Sequence, residues 1–165
     1  MPATPEDLFA YLDALGISHE THQHEAAFTV AESAELKSTM PGGHSKNLFM
    51  KDKDDNILLI SAEAHEPLKL NQLHKVIGTR RLSFASAELM EERLGVVPGS
   101  VTAFSLMNDS AAGIRFIISA KLYAHDPVNF HPLVNTATTA ISRAGFETFI
   151  RSTGRELEVF DFGSL

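Results

Sequence analysis

The sequence predicts a single α+β domain whose mixed, largely antiparallel β-sheet is flanked by helices. The chain of 165 residues has the length of one ordinary domain, and 44% hydrophobic with 21% charged residues is the composition of a folded globular protein. Helical and strand patterns follow one another without the strict alternation of βαβ units. No repeat, linker or low-complexity segment divides the chain, so we expect residues 1–165 to form one domain.

Composition and charge restrict the classes of function. No apolar run approaches the ~20 residues that cross a bilayer, and Met1–Asp7 lacks the basic and then apolar order of a signal peptide, so we expect a cytoplasmic protein. The absence of cysteine excludes disulfides and thiolate chemistry. A net charge of −7 argues against non-specific coating of nucleic acid. A local basic patch or an ordinary solvated surface would equally explain the cations of Pro67–Arg81, which are Lys69, Lys75, Arg80 and Arg81.

The N-terminal segment predicts a helix, a strand and a second helix. Thr4 is a typical N-cap, Pro5 suits the first helical position, and Gly16 suits the end of the helix. The short polar stretch Ile17–His24 then predicts an edge strand. The capping-box pattern of Thr29–Glu32 predicts a short helix after it.

Three histidines, His19, His22 and His24, lie in the predicted edge strand. His22 and His24 would share one face of a strand and could hold a metal ion. No acidic residue stands beside them at a clear ligand spacing, so an exposed group of histidines is the alternative. We expect no metal site here.

The middle of the chain predicts a β-hairpin, in which Asn47–Lys51 and Ile57–Ser61 flank the polar turn Asp52–Asn56. Apolar periodicity and glycine stops predict a helix, a strand and a second helix after it: Pro67–Gly78, Arg80–Phe84 and Ser86–Gly95.

The C-terminal half predicts three strands, a helix and a closing strand: Val101–Met107, Ile114–Ile118, Asn129–Ile141, Ser142–Gly154 and Leu157–Phe160. The first two strands are connected by a turn at Asn108 and are expected to be antiparallel neighbours. The threonines of Asn129–Ile141 favour one extended segment.

A glycine bend leading into a strand predicts the functional site. Pro41, Gly42 and Gly43 exclude a regular element, and their N–H groups could face an anion. Lys46 then stands at the entrance of the strand, where its ammonium could meet a phosphate or an oxyanion. A solvated lysine at a loop edge fits the same pattern.

Motifs of defined spacing exclude several classes of enzyme. The chain has no Gly-x-Ser-x-Gly elbow, no His-Glu-x-x-His helix and no nucleotide-binding loop, so a triad hydrolase, a zinc protease and a nucleotide triphosphatase lose support. Lys46, Asn47 and His131 remain as candidates. They can cooperate only if the fold brings positions 46 and 131 together, and His131 also fits a structural role.

Four segments together resemble the prolyl-tRNA editing family, often grouped under the YbaK name: Gly43–Phe49, Arg81–Ser86, Val97–Thr102 and Asn129–Thr139. The last, Asn-Phe-His-Pro-Leu-Val-Asn-Thr-Ala-Thr-Thr, is the longest and most specific. The family comprises freestanding relatives of the editing domain inserted in bacterial prolyl-tRNA synthetase. The resemblance extends from the first helix to Phe160.

The resemblance implies a partly barrel-like sheet and hydrolysis of the ester between a wrong amino acid and tRNA, with water as nucleophile and no cofactor. The most similar type removes alanine from tRNA(Pro). By position, Lys46 is the catalytic lysine. The residues expected to form the aminoacyl pocket are Asn47, His131, Gly42, Gly43 and His44.

The resemblance also implies a loop that holds the terminal adenosine, formed here by Gly99, Ser100, Val101 and Thr102. Ala103 stands where the family has proline, and Ser105 where it commonly has glycine, which puts the rigidity of the loop in question. The expected partners are the acceptor end of tRNA(Pro) and prolyl-tRNA synthetase, without membrane or DNA. Two alternatives stay open: a cysteinyl-tRNA deacylase, and a non-catalytic regulator that binds tRNA or DNA.

Overall fold

The computed structural model describes residues 2–25, 38–109 and 113–163. In these ranges the helices are α1 Pro5–Ala14, α2 Leu73–Ile77, α3 Ala87–Leu94, α4 Ala120–Tyr123 and α5 Arg143–Ser152, with a 3-10 helix over Ala103–Asn108. The strands are β1 His19–Gln23, β2 Gly43–Lys51, β3 Ile57–Glu63, β4 Ser83–Phe84, β5 Ile114–Ser119, β6 Val128–Phe130, β7 Ala137–Ile141 and β8 Glu158–Phe160. The predicted capping box of Thr29–Glu32 and its helix lie outside the described residues.

The strands form one mixed sheet in the order β1-β7-β6-β2-β3-β5-β8, and β4 also pairs with β2. The pairs β1–β7, β6–β7, β2–β3 and β2–β4 are antiparallel. The pairs β2–β6, β3–β5 and β5–β8 are parallel. The predicted α+β domain with a mixed sheet is therefore confirmed.

Both faces of the sheet are covered by apolar side chains. Phe49 of β2 belongs to the larger core, which also contains Leu12 of α1 and Phe146 of α5. The next residue, Met50, belongs to a second core on the other face with Leu73 of α2. Successive side chains of a strand leave opposite faces, so β2 lies between two hydrophobic layers.

The predicted helix caps are confirmed at Thr4, Ser86 and Ser142. Each of these side chains accepts a hydrogen bond from a backbone N–H of the following helix, as the orphan donors of a helix start require. The β2–β3 hairpin is confirmed as well, with residues 52–56 as its connection.

The segment predicted as the strand Val101–Met107 is largely a 3-10 helix, so that prediction is wrong. Thr102 caps this helix by accepting from the Phe104 N–H, and four successive residues from Ala103 to Leu106 are buried. A short apolar run that is buried on all sides does not distinguish a strand from a compact turn of helix. The next strand, β5, pairs with β3 and β8, so the expected antiparallel neighbour is also wrong.

Three further boundaries differ from the prediction. Helix α2 begins at Leu73 rather than at Pro67, and the strand predicted at Arg80 consists only of Ser83–Phe84. The extended segment predicted over Asn129–Ile141 is two strands, β6 and β7, because the chain turns at Leu133, which has a positive φ of 70°. Helix α4 was not predicted.

Candidate active site

One edge of β2 pairs with two different strands and leaves a gap between them. Gly43 and His44 pair with β6, whereas Met50 and Lys51 pair with β4. A cavity of about 370 Å³ opens where β6 and β4 diverge. Its lining residues come from β2, β4, α3 and the loops around residues 98 and 131: Ser45, Lys46, Asn47, Phe49, Phe84, Ala85, Met90, Pro98, Gly99, Val101 and His131.

Lys46 and Asn47 both line this cavity although their side chains leave opposite faces of the strand. This is possible because the cavity lies at the unpaired edge of β2 and is reached from both faces. Lys46 lies within the strand, paired with Ala62, rather than at its entrance as we expected. Its ammonium donates to the backbone oxygen of Glu66 at 2.5 Å.

The amide of Asn47 is oriented by its neighbours. The hydroxyl of Ser61, which is fully buried, donates to Asn47 Oδ1 at 2.5 Å. The amide nitrogen therefore faces the other way and donates to Ser45 Oγ at 3.3 Å. Ser45 in turn donates to the backbone oxygen of Asn129 on β6 at 2.8 Å. This chain of bonds places an amide donor on the cavity side.

His131 follows β6 and lines the same cavity as Lys46. Its Nδ1 lies 2.9 Å from the backbone oxygen of Ala137, and since a carbonyl only accepts, Nδ1 carries the proton. In the neutral ring Nε2 is then a hydrogen-bond acceptor. Burial lowers the pKa of His131, the Ala137 carbonyl partly opposes this, and nearby His24 lowers the pKa further. A lowered pKa favours the neutral imidazole at pH 7.

Gly42 and Gly43, which were predicted to bind an anion, instead allow close packing within the sheet. Gly43 belongs to β2 and its N–H donates to the backbone oxygen of Pro127 at 3.0 Å, so the expectation that this N–H faces a ligand is wrong. A Cβ on Gly42 would lie 2.2 Å from the same oxygen. A Cβ on Gly43 would lie 2.8 Å from the Cβ of His125, so both glycines are required to be small by the segment that leads into β6. His44 Nε2 lies 2.7 Å from the Met40 oxygen, and none of the three lines the cavity.

The loop predicted to hold the terminal adenosine reaches the cavity through Gly99 and Val101. Ser100 and Thr102 are buried, and the Ser100 N–H closes a turn by donating to the Val97 oxygen at 3.0 Å. The loop then continues directly into the 3-10 helix.

Several lining residues were not singled out from the sequence, among them Phe49, Phe84 and Met90. Phe84 is 58% exposed although it is a large apolar residue, and it forms part of the cavity rim. Phe49 and Met90 have the periodicity of ordinary core residues, so only the three-dimensional arrangement identifies them.

Two other cavities lie toward the far end of β2. The larger, about 600 Å³, has three arginines in its lining, but Arg93 is paired with Asp109 and Arg115 with Glu158. The smaller, about 360 Å³, is lined by Lys51, Asp52, Lys53, Asp55, Arg81, Leu82 and Ser83, and we call it the basic cleft. Its Lys51 Nζ lies 3.9 Å from Asp55 in an exposed pair, so the cleft is only weakly basic.

Within residues 2–25, 38–109 and 113–163, no group of three histidine or acidic side chains could hold a metal ion. No helix in the described part of the chain has the length and apolar character to span a membrane.

The fold is that of an aminoacyl-tRNA editing domain, and the chain belongs to that family, whose model matches residues 24–149. Mouse prolyl-tRNA synthetase associated domain-containing protein 1 is 34% identical over 156 residues, 92% of each chain. The prolyl-tRNA editing protein ProX of Acetoanaerobium sticklandii is 27% identical over 155 residues, 93% of this chain and 94% of ProX. The names of these two relatives refer to prolyl-tRNA synthetase and to prolyl-tRNA editing, respectively.

A solved structure has the same fold. The crystal structure of a candidate trans-editing enzyme for prolyl-tRNA synthetase aligns with a TM-score of 0.67 at 15% identity, over 95% of this chain and 96% of that one. The resemblance drawn from the four sequence segments is confirmed at the level of family and fold.

Proposed function

We propose that this chain, as one editing domain in the cytoplasm, hydrolyses the ester that joins a mischarged amino acid, alanine in particular, to tRNA(Pro). The observation that carries the proposal is that Lys46, Asn47 and His131 line one cavity of about 370 Å³. Relatives that carry the names of prolyl-tRNA editing and of prolyl-tRNA synthetase support the same substrate class and the synthetase as a partner.

The reaction requires little from the protein because an aminoacyl ester is already activated. The oxygen of water bonds to the ester carbonyl carbon and the carbonyl oxygen becomes an oxyanion. When the oxyanion collapses, the carbon–oxygen bond to the ribose breaks. The ribose oxygen takes up the proton that the attacking water loses, which leaves free amino acid and intact tRNA. The protein has to hold the ester in place and stabilise the negative charge.

The residues around the cavity suit this task. The Lys46 ammonium has three N–H donors, so it would bind the oxyanion or the terminal phosphate with a second donor while it keeps its bond to the Glu66 carbonyl. The Asn47 amide would donate to the carbonyl oxygen of the substrate ester. His131 Nε2, an acceptor in the neutral ring, would receive an N–H of the amino acid's ammonium group.

Selection of alanine over proline would operate by exclusion, since attraction to one methyl group is worth only ~1–3 kcal/mol. His131, Met90 and Phe49 line the cavity and would restrict the room beside the ester. We expect His131→Ala to admit prolyl esters. A His131→Ala protein that still rejects prolyl-tRNA would contradict this role.

The basic cleft offers a place for the RNA beyond its terminal nucleotide. Phe49 and Phe84 line the cavity, whereas Lys51 and Ser83 of the same two strands line the basic cleft. The two openings are therefore neighbours along the β2–β4 pair. Lysine and arginine side chains beside the cavity would bind acceptor-stem phosphates in a protein that is acidic overall.

The decisive experiment is deacylation of alanyl-tRNA(Pro) by purified protein. Lys46→Ala should lower the rate by at least about 100-fold, the scale for loss of one oxyanion-stabilising donor. Lys121→Ala, which removes an exposed lysine of α4, is the matched control and should keep the wild-type rate. Unchanged turnover by Lys46→Ala would remove Lys46 from the mechanism.

The same assay separates the two alternatives. Faster hydrolysis of cysteinyl-tRNA than of alanyl-tRNA(Pro) would indicate the cysteinyl-tRNA deacylase. Tight binding of tRNA with no hydrolysis of any aminoacyl ester would indicate the non-catalytic regulator.

A further inference from the structure

The proposed catalytic cation is held by a backbone carbonyl rather than by a carboxylate. Lys46 Nζ donates to the backbone oxygen of Glu66 at 2.5 Å, and Glu66 does not line the cavity. A lysine side chain has four rotatable bonds, so one hydrogen bond to a rigid acceptor decides where its charge is found. The position of the Lys46 charge therefore depends on how firmly the Glu66 carbonyl is held.

The Glu66 side chain clamps its own turn. The residue is only 5% exposed, and Glu66 Oε1 accepts from the Glu63 N–H at 3.1 Å. The Glu66 N–H donates back to the Glu63 oxygen at 2.9 Å. Two hydrogen bonds between the same two residues fix the turn that presents the Glu66 carbonyl to Lys46.

The clamp is anchored to the core of the sheet through Ser119. The Ser119 hydroxyl donates to Glu66 Oε1 at 2.7 Å, and Ser119 is fully buried. Ser119 ends β5 and caps α4, where its hydroxyl accepts from the Leu122 N–H at 3.1 Å. A buried hydroxyl that both donates one hydrogen bond and accepts another has little freedom to move.

We propose that Glu66 is the positioning residue of Lys46. Its carboxylate, held by Ser119 and Glu63, fixes the carbonyl that keeps the Lys46 ammonium at the cavity. Glu66 does not touch the substrate and acts only through Lys46. The inference rests on the proposed function, in which Lys46 acts on the ester.

The activity test compares three variants. Glu66→Ala should lower kcat/KM for alanyl-tRNA(Pro) roughly 10- to 100-fold, because small misplacements of a catalytic group have effects of that size. Glu66→Gln keeps a side-chain oxygen for Ser119 and Glu63 and should restore most of the loss. Glu63→Ala is the matched control, since it removes a carboxylate of the same turn that contacts Lys121 but keeps the Glu63 N–H.

A second measurement follows Lys46 directly and does not depend on activity. The rate at which acetic anhydride acetylates Lys46, measured by mass spectrometry of the folded protein, should rise at least severalfold in Glu66→Ala. It should stay at the wild-type value in Glu66→Gln and in Glu63→Ala. If Glu66→Ala does not fold, Glu66→Asp, whose carboxylate is one methylene too short to reach Ser119, should show the same increase.

The two proposals fail in different ways. An active Lys46→Ala protein removes the proposed function of Lys46, while the acetylation rates still decide whether Glu66 holds the ammonium. An inactive Lys46→Ala protein together with wild-type activity and wild-type acetylation in Glu66→Ala overturns the positioning role alone. Equal losses in Glu66→Gln and Glu66→Ala also overturn it, since the negative charge rather than the clamp would then be needed.

Discussion

The chemistry proposed for His131 is set by one backbone carbonyl. The Ala137 carbonyl accepts a hydrogen bond from the Nδ1–H of His131, which leaves Nε2 as the acceptor of a ring that lines the cavity. Burial disfavours the imidazolium form and is the largest cause of the lowered pKa. Lys46 and His131 line one cavity and give it one cationic and one basic group, which suits a substrate that carries both an ammonium group and a developing oxyanion.

The lowered pKa of His131 predicts a pH dependence of stability. An unfolded histidine titrates near ~6.5, so the unfolded chain binds a proton that the folded site resists. The stabilising contribution is complete above that pH and is lost as the pH falls toward the lower folded-state pKa. The free energy of unfolding from urea titrations should therefore fall less between about pH 7.5 and 5 in His131→Gln than in wild type.

The control for this prediction is the titration of His131 itself. Its ring C–H resonances in NMR spectra should titrate with a midpoint below ~6.5 in the folded protein. A midpoint above that value, or parallel pH dependence of stability in wild type and His131→Gln, would contradict the burial argument.

At the scale of residues, the sequence identified which side chains line the cavity but not how they come together. Lys46, Asn47 and His131 were selected as candidates, and all three line the cavity. Their proximity could not be derived, because it depends on the parallel pairing of β2 with β6. Gly43 was misinterpreted because glycine suits an open loop and a tightly packed strand equally well, and only the backbone hydrogen bond of Gly43 to Pro127 distinguishes them.

Among the elements, the 3-10 helix behind the Gly99–Thr102 loop explains how a proline could be accommodated at position 103. Ala103 is the first residue of this helix, a position where proline is tolerated because its missing N–H is not needed. Thr102 has φ −153° and ψ 153°, the extended conformation that proline requires of its predecessor.

We therefore expect Ala103→Pro to keep the fold and to raise the free energy of unfolding by about 0.4–1 kcal/mol, mainly by restricting the unfolded chain. Urea denaturation measures the change. Because Ala103 is fully buried, a loss of stability would show that the added ring clashes with the core.

The β2–β4 pair carries a prediction about RNA binding. Arg81→Ala and Lys51→Ala should each weaken binding of tRNA(Pro) and lower the salt dependence of the dissociation constant, because each removes one cation from the basic cleft. Fluorescence anisotropy at several salt concentrations measures both effects. Lys75→Ala, an exposed lysine of α2 outside the basic cleft, is the control. If Lys75→Ala weakens binding as much as Arg81→Ala does, the contact surface is α2 rather than the basic cleft.

Elements with a terminal signal were the easiest to predict. The N-caps Ser86 and Ser142 fixed the starts of α3 and α5. Residues 101–107 were predicted as a strand because an apolar run has no period that distinguishes a strand from a buried 3-10 helix. The parallel pairs β3–β5 and β5–β8 join segments distant in sequence, and no local pattern specifies them.

At the scale of the whole molecule, a buried ionic network connects the two ends of the fold. Arg155, which follows α5 and is 7% exposed, donates to Asp109 Oδ2 at 2.6 Å. The same carboxylate accepts from Arg93 of α3 at 2.9 Å and from the N–H of Ile114, the first residue of β5, at 3.1 Å. Asp109 therefore holds a helix, a strand and the C-terminal segment together.

Asp109→Ala should lower the free energy of unfolding by about 3–5 kcal/mol, because it leaves the buried Arg155 without its counter-charge. The double variant Asp109→Ala with Arg155→Met should be more stable than Asp109→Ala alone, since the uncompensated charge is gone. Chemical denaturation of the four proteins of this cycle measures the coupling. A double variant less stable than either single variant would indicate that the hydrogen bonds to the backbone, not the buried charge, dominate.

The divided edge of β2 has a further consequence for substrate selection. Lys46 and Lys51 belong to one extended strand, in which each residue adds ~3.3 Å, so their Cα atoms are ~17 Å apart. The strand thus fixes the distance between Lys46, where the ester would be hydrolysed, and Lys51 of the basic cleft, where the phosphates of duplex RNA would bind. If one tRNA occupies both openings, a longer or shorter single-stranded 3′ end would move its duplex phosphates away from Lys51, and we expect weaker binding to the basic cleft.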